Sequence, residues 1–239
     1  MNIQELSRYG FPQTILDIWK AAESEELLPV QEAAIEQGLL DGHSMLIAAP
    51  TSSGKTFLSE IAAYKKAQAR QKVIYLAPHK AIVEEKYHDF FQKYTDYGIR
   101  IVVSSGDHYE FDEDIQHGFF DIALFTYEKL AMLLVLSPAI ASSCGLLIVD
   151  EIQMLSDSNR GADLELLLTK FLTLSLNTQI IALSASIDKF DGLDKWLRAK
   201  GLLITERPIP LREGVYTPDG LFRFREWNTR QYGEEHFPA

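Results

Sequence analysis

The apolar run Met45-Leu46-Ile47-Ala48 leads directly into Ala49-Pro50-Thr51-Ser52-Ser53-Gly54-Lys55-Thr56. A buried strand, a turn of small residues and a helix starting near Gly54 follow from that order. Backbone N–H groups of such a turn converge on an anion, and the helix N-terminus adds partial positive charge. Lys55 supplies a point charge for the outer phosphates of a nucleotide, and the Thr56 hydroxyl can join a magnesium shell. Ala49 stands where the strict pattern has glycine, and Ser52 and Ser53 fill positions where glycine is common. The strand-loop-helix setting argues against a chance Gly-Lys-Thr. Segments further along argue against a kinase or GTPase loop.

The rest of the chain repeats short apolar runs: Val73 to Ala77, Ile101 to Val103, Ile122 to Phe125, Leu146 to Val149 and Ile180 to Leu183. Helical patterns lie between several of them, at Lys80 to Tyr94, Tyr127 to Leu136 and Ala162 to Leu174. Continuously apolar strands separated by helices predict an α/β fold, a mainly parallel central sheet with helices on both faces. Ligands of such sheets bind beyond the carboxyl ends of the strands, where the phosphate loop falls. Three stretches are expected: a helical segment over 1–40, interrupted at Pro12 and Pro29; the nucleotide-binding body over 41–206; and an extended tail over 207–239. Within the tail, Leu221-Phe222-Arg223-Phe224-Arg225 alternates as a one-sided strand does.

A second landmark is Leu146-Leu147-Ile148-Val149-Asp150-Glu151, an apolar strand ending in two carboxylates. Asp150 at the tip can hold magnesium, and Glu151 can orient the water that attacks a γ-phosphate. An Asp-Glu pair alone equally caps a following helix; the phosphate loop upstream favours the catalytic reading. A third landmark, Ser184-Ala185-Ser186, follows the strand Ile180 to Leu183. Its hydroxyls either cap the next turn or bond toward the acidic pair.

Net charge is −11, from 23 basic and 34 acidic residues. That opposes a protein held to nucleic acid by bulk electrostatics, though not a local contact track. From Leu193 to Arg230 the balance reverses, with eight basic residues against five acidic. No apolar stretch nears the roughly 20 residues that cross a bilayer. The start lacks a basic-then-apolar secretory pattern. The single cysteine, Cys144, excludes an internal disulfide and a cysteine-rich metal site. A cytoplasmic protein without a membrane partner is expected.

With its three landmarks in order, the chain resembles the first RecA-like domain of a superfamily-two helicase, closest to the Ski-type DExH-box group with its repair helicases. The likeness runs from about Leu27 to Val215. Leu28-Pro29-Val30-Gln31 is similar to the glutamine motif, and APTSSGKT to motif I. Ala77-Pro78-His79-Lys80-Ala81 resembles motif Ia, and Ser105-Gly106-Asp107 the next strand-end motif. Thr126-Tyr127-Glu128-Lys129 resembles a segment that touches the loading strand. Asp150-Glu151-Ile152-Gln153 resembles motif II, Ser184-Ala185-Ser186 motif III, and Arg207 to Val215 the end of the same domain. Gln153 stands where the group usually has His, and Ser186 where it has Thr.

The resemblance implies ATP on Thr51, Ser52, Ser53, Gly54, Lys55 and Thr56, with Gln31 at the adenine. It implies Mg²⁺ between Thr56 and Asp150, and Lys55, Asp150 and Glu151 as the catalytic set. Gln153, Ser184 and Ser186 would couple hydrolysis to movement. Lys80, Gly106, Thr126 and Arg160 would face single-stranded nucleic acid, with the Arg207 to Val215 stretch favouring DNA over RNA and the group suggesting 3′–5′ translocation. Each has a plainer reading: Lys80 a solvated helix residue, Arg160 the partner of an acid, Thr126 a helix cap. After Val215 only 24 residues follow, and no second RecA-like domain is among them. Half a motor is expected, completed in cis or in trans. The alternatives are a non-catalytic nucleotide-binding scaffold and the motor half of a split helicase or nuclease complex.

Overall fold

The computed structural model describes residues 1–106, 108–206, 211–227 and 229–237. Asp107 and the Arg207 to Pro210 portion of the segments read above lie outside the described residues. Seven strands form the central sheet: β1 Met45–Ala48, β2 Lys72–Ala77, β3 Ile101–Ser104, β4 Ile122–Thr126, β5 Cys144–Val149, β6 Gln179–Ser184 and β7 Lys200–Leu203. Their order is β3-β4-β2-β5-β6-β1-β7, and every neighbouring pair is parallel. Six strands coincide with the apolar runs. β7 escapes the sequence pattern because only Leu202 of its four residues is buried; it pairs at the sheet edge with β1 alone.

Each apolar run divides residue by residue between two layers, since successive side chains of a strand point to opposite faces. Met45, Ile47, Val73, Tyr75 and Ile148 join the core under the helices Lys55–Gln68 and Lys80–Tyr94. Leu46, Ile74, Leu76, Leu147 and Val149 join a second core under Tyr127–Leu136 and Gly161–Leu174. A fully apolar strand therefore serves both faces, which is why its period is invisible in the sequence.

The N-terminal segment belongs to the first of these layers. Pro12 precedes the helix Gln13–Ala22, and Pro29 occupies the first position of Pro29–Glu36. There a proline's missing N–H costs no intrahelical bond. Trp19 is fully buried, packs edge-on against Phe11 and Phe57, and donates its indole N–H to Tyr94 Oη at 2.7 Å. Tyr94 in turn donates to Glu60, whose carboxylate also pairs with Lys93 at 3.0 Å. This buried polar node ties Gln13–Ala22 to the helix that follows the phosphate loop.

In the tail, β8 Arg212–Tyr216, β9 Leu221–Glu226 and β10 Tyr232–His236 form a separate antiparallel sheet in the order β10-β9-β8. The alternation seen in β9 brings Phe222 and Phe224 together on one face, stacked with centroids 5.4 Å apart. β8 and β10, REGVY and YGEEH, are too polar and too exposed to signal strands by pattern.

Candidate nucleotide site

The strand order decides the geometry of the site. β1, β6 and β5 are neighbours, so the loop after Ala48, the Ser184 tip and the Asp150-Glu151 tip stand side by side on one rim of the sheet. Adjacent strands lie about 4.8 Å apart. The three landmarks, far apart in sequence, thus fall within the reach of one triphosphate. Backbone bonds stitch the rim: Ala49 N–H donates to Ser184 O at 3.1 Å, and Asp150 N–H to Leu76 O at 2.9 Å.

A cleft of about 360 Å³ opens there, lined by Thr51 to Thr56, Asp150, Glu151, Ala185, Leu28 and Glu23. Gly54 caps the helix Lys55–Gln68 with φ +87°, and Ser52 is also left-handed at φ +61°. Left-handed residues in such a turn bring successive N–H groups toward one side, the concavity that holds an anion. Lys55 Nζ is folded onto the loop, donating to Ala49 O and to Pro50 O at 2.7 Å. Ser53 Oγ is buried without a hydrogen-bond partner, an arrangement that costs free energy until an acceptor or donor arrives. An orphaned hydroxyl, a lysine and a converging loop fit a nucleotide's phosphates. Thr56 and Asp150 line the same cleft with oxygen atoms, the donors a magnesium ion takes.

Gln31 is almost fully buried and is held at both ends of its amide. Its Oε1 accepts Leu28 N–H at 2.8 Å, and its Nε2 donates to Gly54 O at 3.1 Å. The side chain braces the phosphate loop from beneath. A Cβ at Gly54 would lie 2.1 Å from Gln31 Nε2. Gly54→Ala therefore meets both a left-handed backbone and a collision. We expect it to destabilise the chain by about 1–3 kcal/mol and to weaken nucleotide binding, measured by thermal denaturation and a fluorescent nucleotide. A melting temperature equal to wild type contradicts this account of Gly54.

Burial raises the Asp150 carboxyl above its ordinary value, an effect opposed by the bond from Tyr75. Glu151 sits in the left-handed region at φ +54°, ψ +48°, which turns its side chain off the strand line. Gln153 Nε2 donates to Glu151 Oε2. Ser184 donates its hydroxyl to Gln153 Oε1 at 2.7 Å. The Ser184 oxygen also accepts Ser186 N–H at 3.3 Å and Ile187 N–H at 3.2 Å. Both readings of the serine segment are therefore realised together. Gln153 serves as donor and acceptor at once, in a position where an amide never changes charge.

The residues expected to face a strand lie on the same rim beyond β5. Arg160 pairs with Glu128 at 2.7 Å, reaches Pro78 O, and lies over the Tyr127 ring at 5.6 Å. Thr126 Oγ1 accepts Lys129 N–H at 3.4 Å and caps the helix Tyr127–Leu136. Lys80 opens the helix Lys80–Tyr94 on the surface, and Gly106 is exposed with its carbonyl bonded by Tyr109. The plainer readings of Arg160 and Thr126 are both present in the geometry.

Two tyrosines at the acidic pair were not anticipated. Tyr75 donates to Asp150 Oδ2 at 3.0 Å, and Tyr127 donates to Asp150 O. Tyr75 lies inside an apolar run and reads as core. Tyr127 stands within a recognised segment, but its partner is 23 positions away.

A model of the DEAD/DEAH box helicase family matches residues 28–191. The chain belongs to that family. It is 41% identical over 218 residues to an ATP-dependent DNA helicase Hel308 of Caldivirga maquilingensis, covering 90% of this chain and 28% of that protein. Against the protein of the same name from Methanocaldococcus jannaschii it is 39% identical over 214 residues, 87% of this chain and 18% of the relative. Against that of Pyrococcus abyssi it is 35% identical over 240 residues, 97% and 32%. The chain thus spans no more than about a third of these curated relatives. Among the described residues no helix is long and apolar enough to cross a membrane.

Proposed function

We propose that this chain is the ATP-binding half of the motor of an ATP-dependent DNA helicase, acting in the cytoplasm and translocating 3′–5′ along one strand. The observation that carries the proposal is the cleft into which three adjacent strand tips bring the phosphate loop, Ala185 and the Asp150-Glu151 pair. The relatives' names supply DNA as the polymer.

The triphosphate of ATP lies on Thr51 to Thr56, with Lys55 swinging from its own loop carbonyls to the outer phosphates. Gln31 holds the loop and offers its second N–H to the adenine. Thr56 and Asp150 would hold Mg²⁺, which would neutralise charge on the phosphates. Glu151 takes a proton from the attacking water as its oxygen bonds to the γ-phosphorus and the bond to the β-phosphate oxygen breaks, giving ADP and phosphate. The Glu151–Gln153–Ser184 chain of bonds, continued to the Ser186 N–H, carries a change at the γ-phosphate toward the second RecA-like domain. That domain supplies the arginine that completes the site, worth about 10³–10⁵ in rate.

Lys80, Gly106, Thr126 and Arg160 form the strand-facing surface, through sequence-independent backbone contacts. A strand phosphate there displaces Glu128 from Arg160. A non-catalytic scaffold has no use for Glu151 held by Gln153 beside an intact phosphate loop. Fluorescence anisotropy with matched single-stranded DNA and RNA tests the polymer assignment: DNA binds more tightly, and binding weakens with salt. Equal or tighter RNA binding removes the DNA part of the proposal.

A further inference from the structure

Tyr75 lies in the middle of β2 and is fully buried. Its ring packs edge-on against Phe90, with centroids 6.1 Å apart at 87°, so phenylalanine would serve the core equally well. A buried hydroxyl costs free energy unless it is bonded. The Tyr75 O–H donates to Asp150 Oδ2 at 3.0 Å, while Asp150 Oδ1 accepts Glu151 N–H at 3.0 Å. One donor on each oxygen fixes the carboxylate plane. The Tyr75–Asp150 bond crosses from the middle of β2 to the tip of β5 through an otherwise apolar layer.

We infer that Tyr75 is a positioning residue for the metal: its phenol holds the Asp150 carboxylate in the orientation that a divalent cation between Thr56 and Asp150 requires. Tyr75 acts this way only if Thr56 and Asp150 hold Mg²⁺ as proposed. A carboxylate without such a donor rotates freely, and ordering it weakens metal binding; outer hydrogen bonds of this kind are worth about 10–100-fold in metal affinity. Asp150 and Thr56 both line the cleft.

The test is a titration of the 239-residue chain with a fluorescent ADP analogue, in EDTA and across a Mg²⁺ series. In Tyr75→Phe we expect metal-free affinity and melting temperature as in wild type, with the Mg²⁺ concentration for half-maximal tightening raised about 10-fold or more. Tyr75→Met, which also lacks the hydroxyl, shifts the same midpoint in the same direction and supplies the answer should Tyr75→Phe fold poorly. A wild-type Mg²⁺ midpoint in both variants overturns the role of Tyr75 and leaves the nucleotide site standing. A wild-type chain that binds no nucleotide in either condition overturns the nucleotide site itself, and Tyr75's role with it.

Discussion

Lys55→Ala abolishes nucleotide binding and leaves the fold intact. Lys55 is the first residue of its helix, and its ammonium is bonded to Ala49 O and Pro50 O within its own loop. Without the ammonium those two carbonyls lose only a local contact, and β1 beneath them is buried at all four positions. The phosphates lose far more. Each hydrogen bond to a charged partner is worth about 1.5–3 kcal/mol, so two lost bonds amount to about 100-fold or more in Kd at roughly 1.4 kcal/mol per decade. Fluorescent-nucleotide titration reads the loss, and circular dichroism of the same sample reads the fold. A collapsed spectrum contradicts the separation of binding from folding.

Glu151→Gln has the opposite profile: nucleotide stays bound and turnover stops. The amide keeps the size of the side chain and its reach to the Gln153 carboxamide, but it cannot take a proton from water. Positioned general bases contribute about 10²–10⁴ in rate, so any hydrolysis the chain supports, alone or with a second RecA-like domain supplied, falls below detection. The left-handed backbone at Glu151 is kept by either side chain, so the melting temperature does not move. Retained hydrolysis in this variant transfers the base to another group.

These two residues were legible because their signals are local. A strand, a loop of small residues and Gly-Lys-Thr announce Lys55; four apolar residues before two acids announce Glu151. The parallel sheet was legible for the same reason, six times over. What the sequence withholds is pairing at a distance. Gln31 reads as a base contact, yet its amide bonds Gly54 O, 23 positions away. Arg160 meets Glu128 across 32 positions. The Tyr75 hydroxyl finds Asp150 across 75, and nothing in Lys72-Val73-Ile74-Tyr75-Leu76-Ala77 marks that ring as more than core. β7 is hidden by the opposite circumstance, since a strand with one buried residue at a sheet edge has no apolar run to show.

Gln153 illustrates a departure whose consequence needed coordinates. Where the resembled group has a titratable imidazole, this chain has an amide that donates to Glu151 and accepts from Ser184 at 2.7 Å. The link between acidic pair and serine segment is present without a group that changes charge.

ATP turnover of the 239-residue chain with and without saturating single-stranded DNA, with ATP binding measured in the same sample, decides whether this nucleotide-binding half needs a partner for catalysis. Bound ATP and negligible turnover are expected under both conditions, with turnover rising only when a second RecA-like domain is added. DNA-stimulated turnover by the chain alone, lost in Glu151→Gln, would contradict that need by showing a complete catalytic site without that partner.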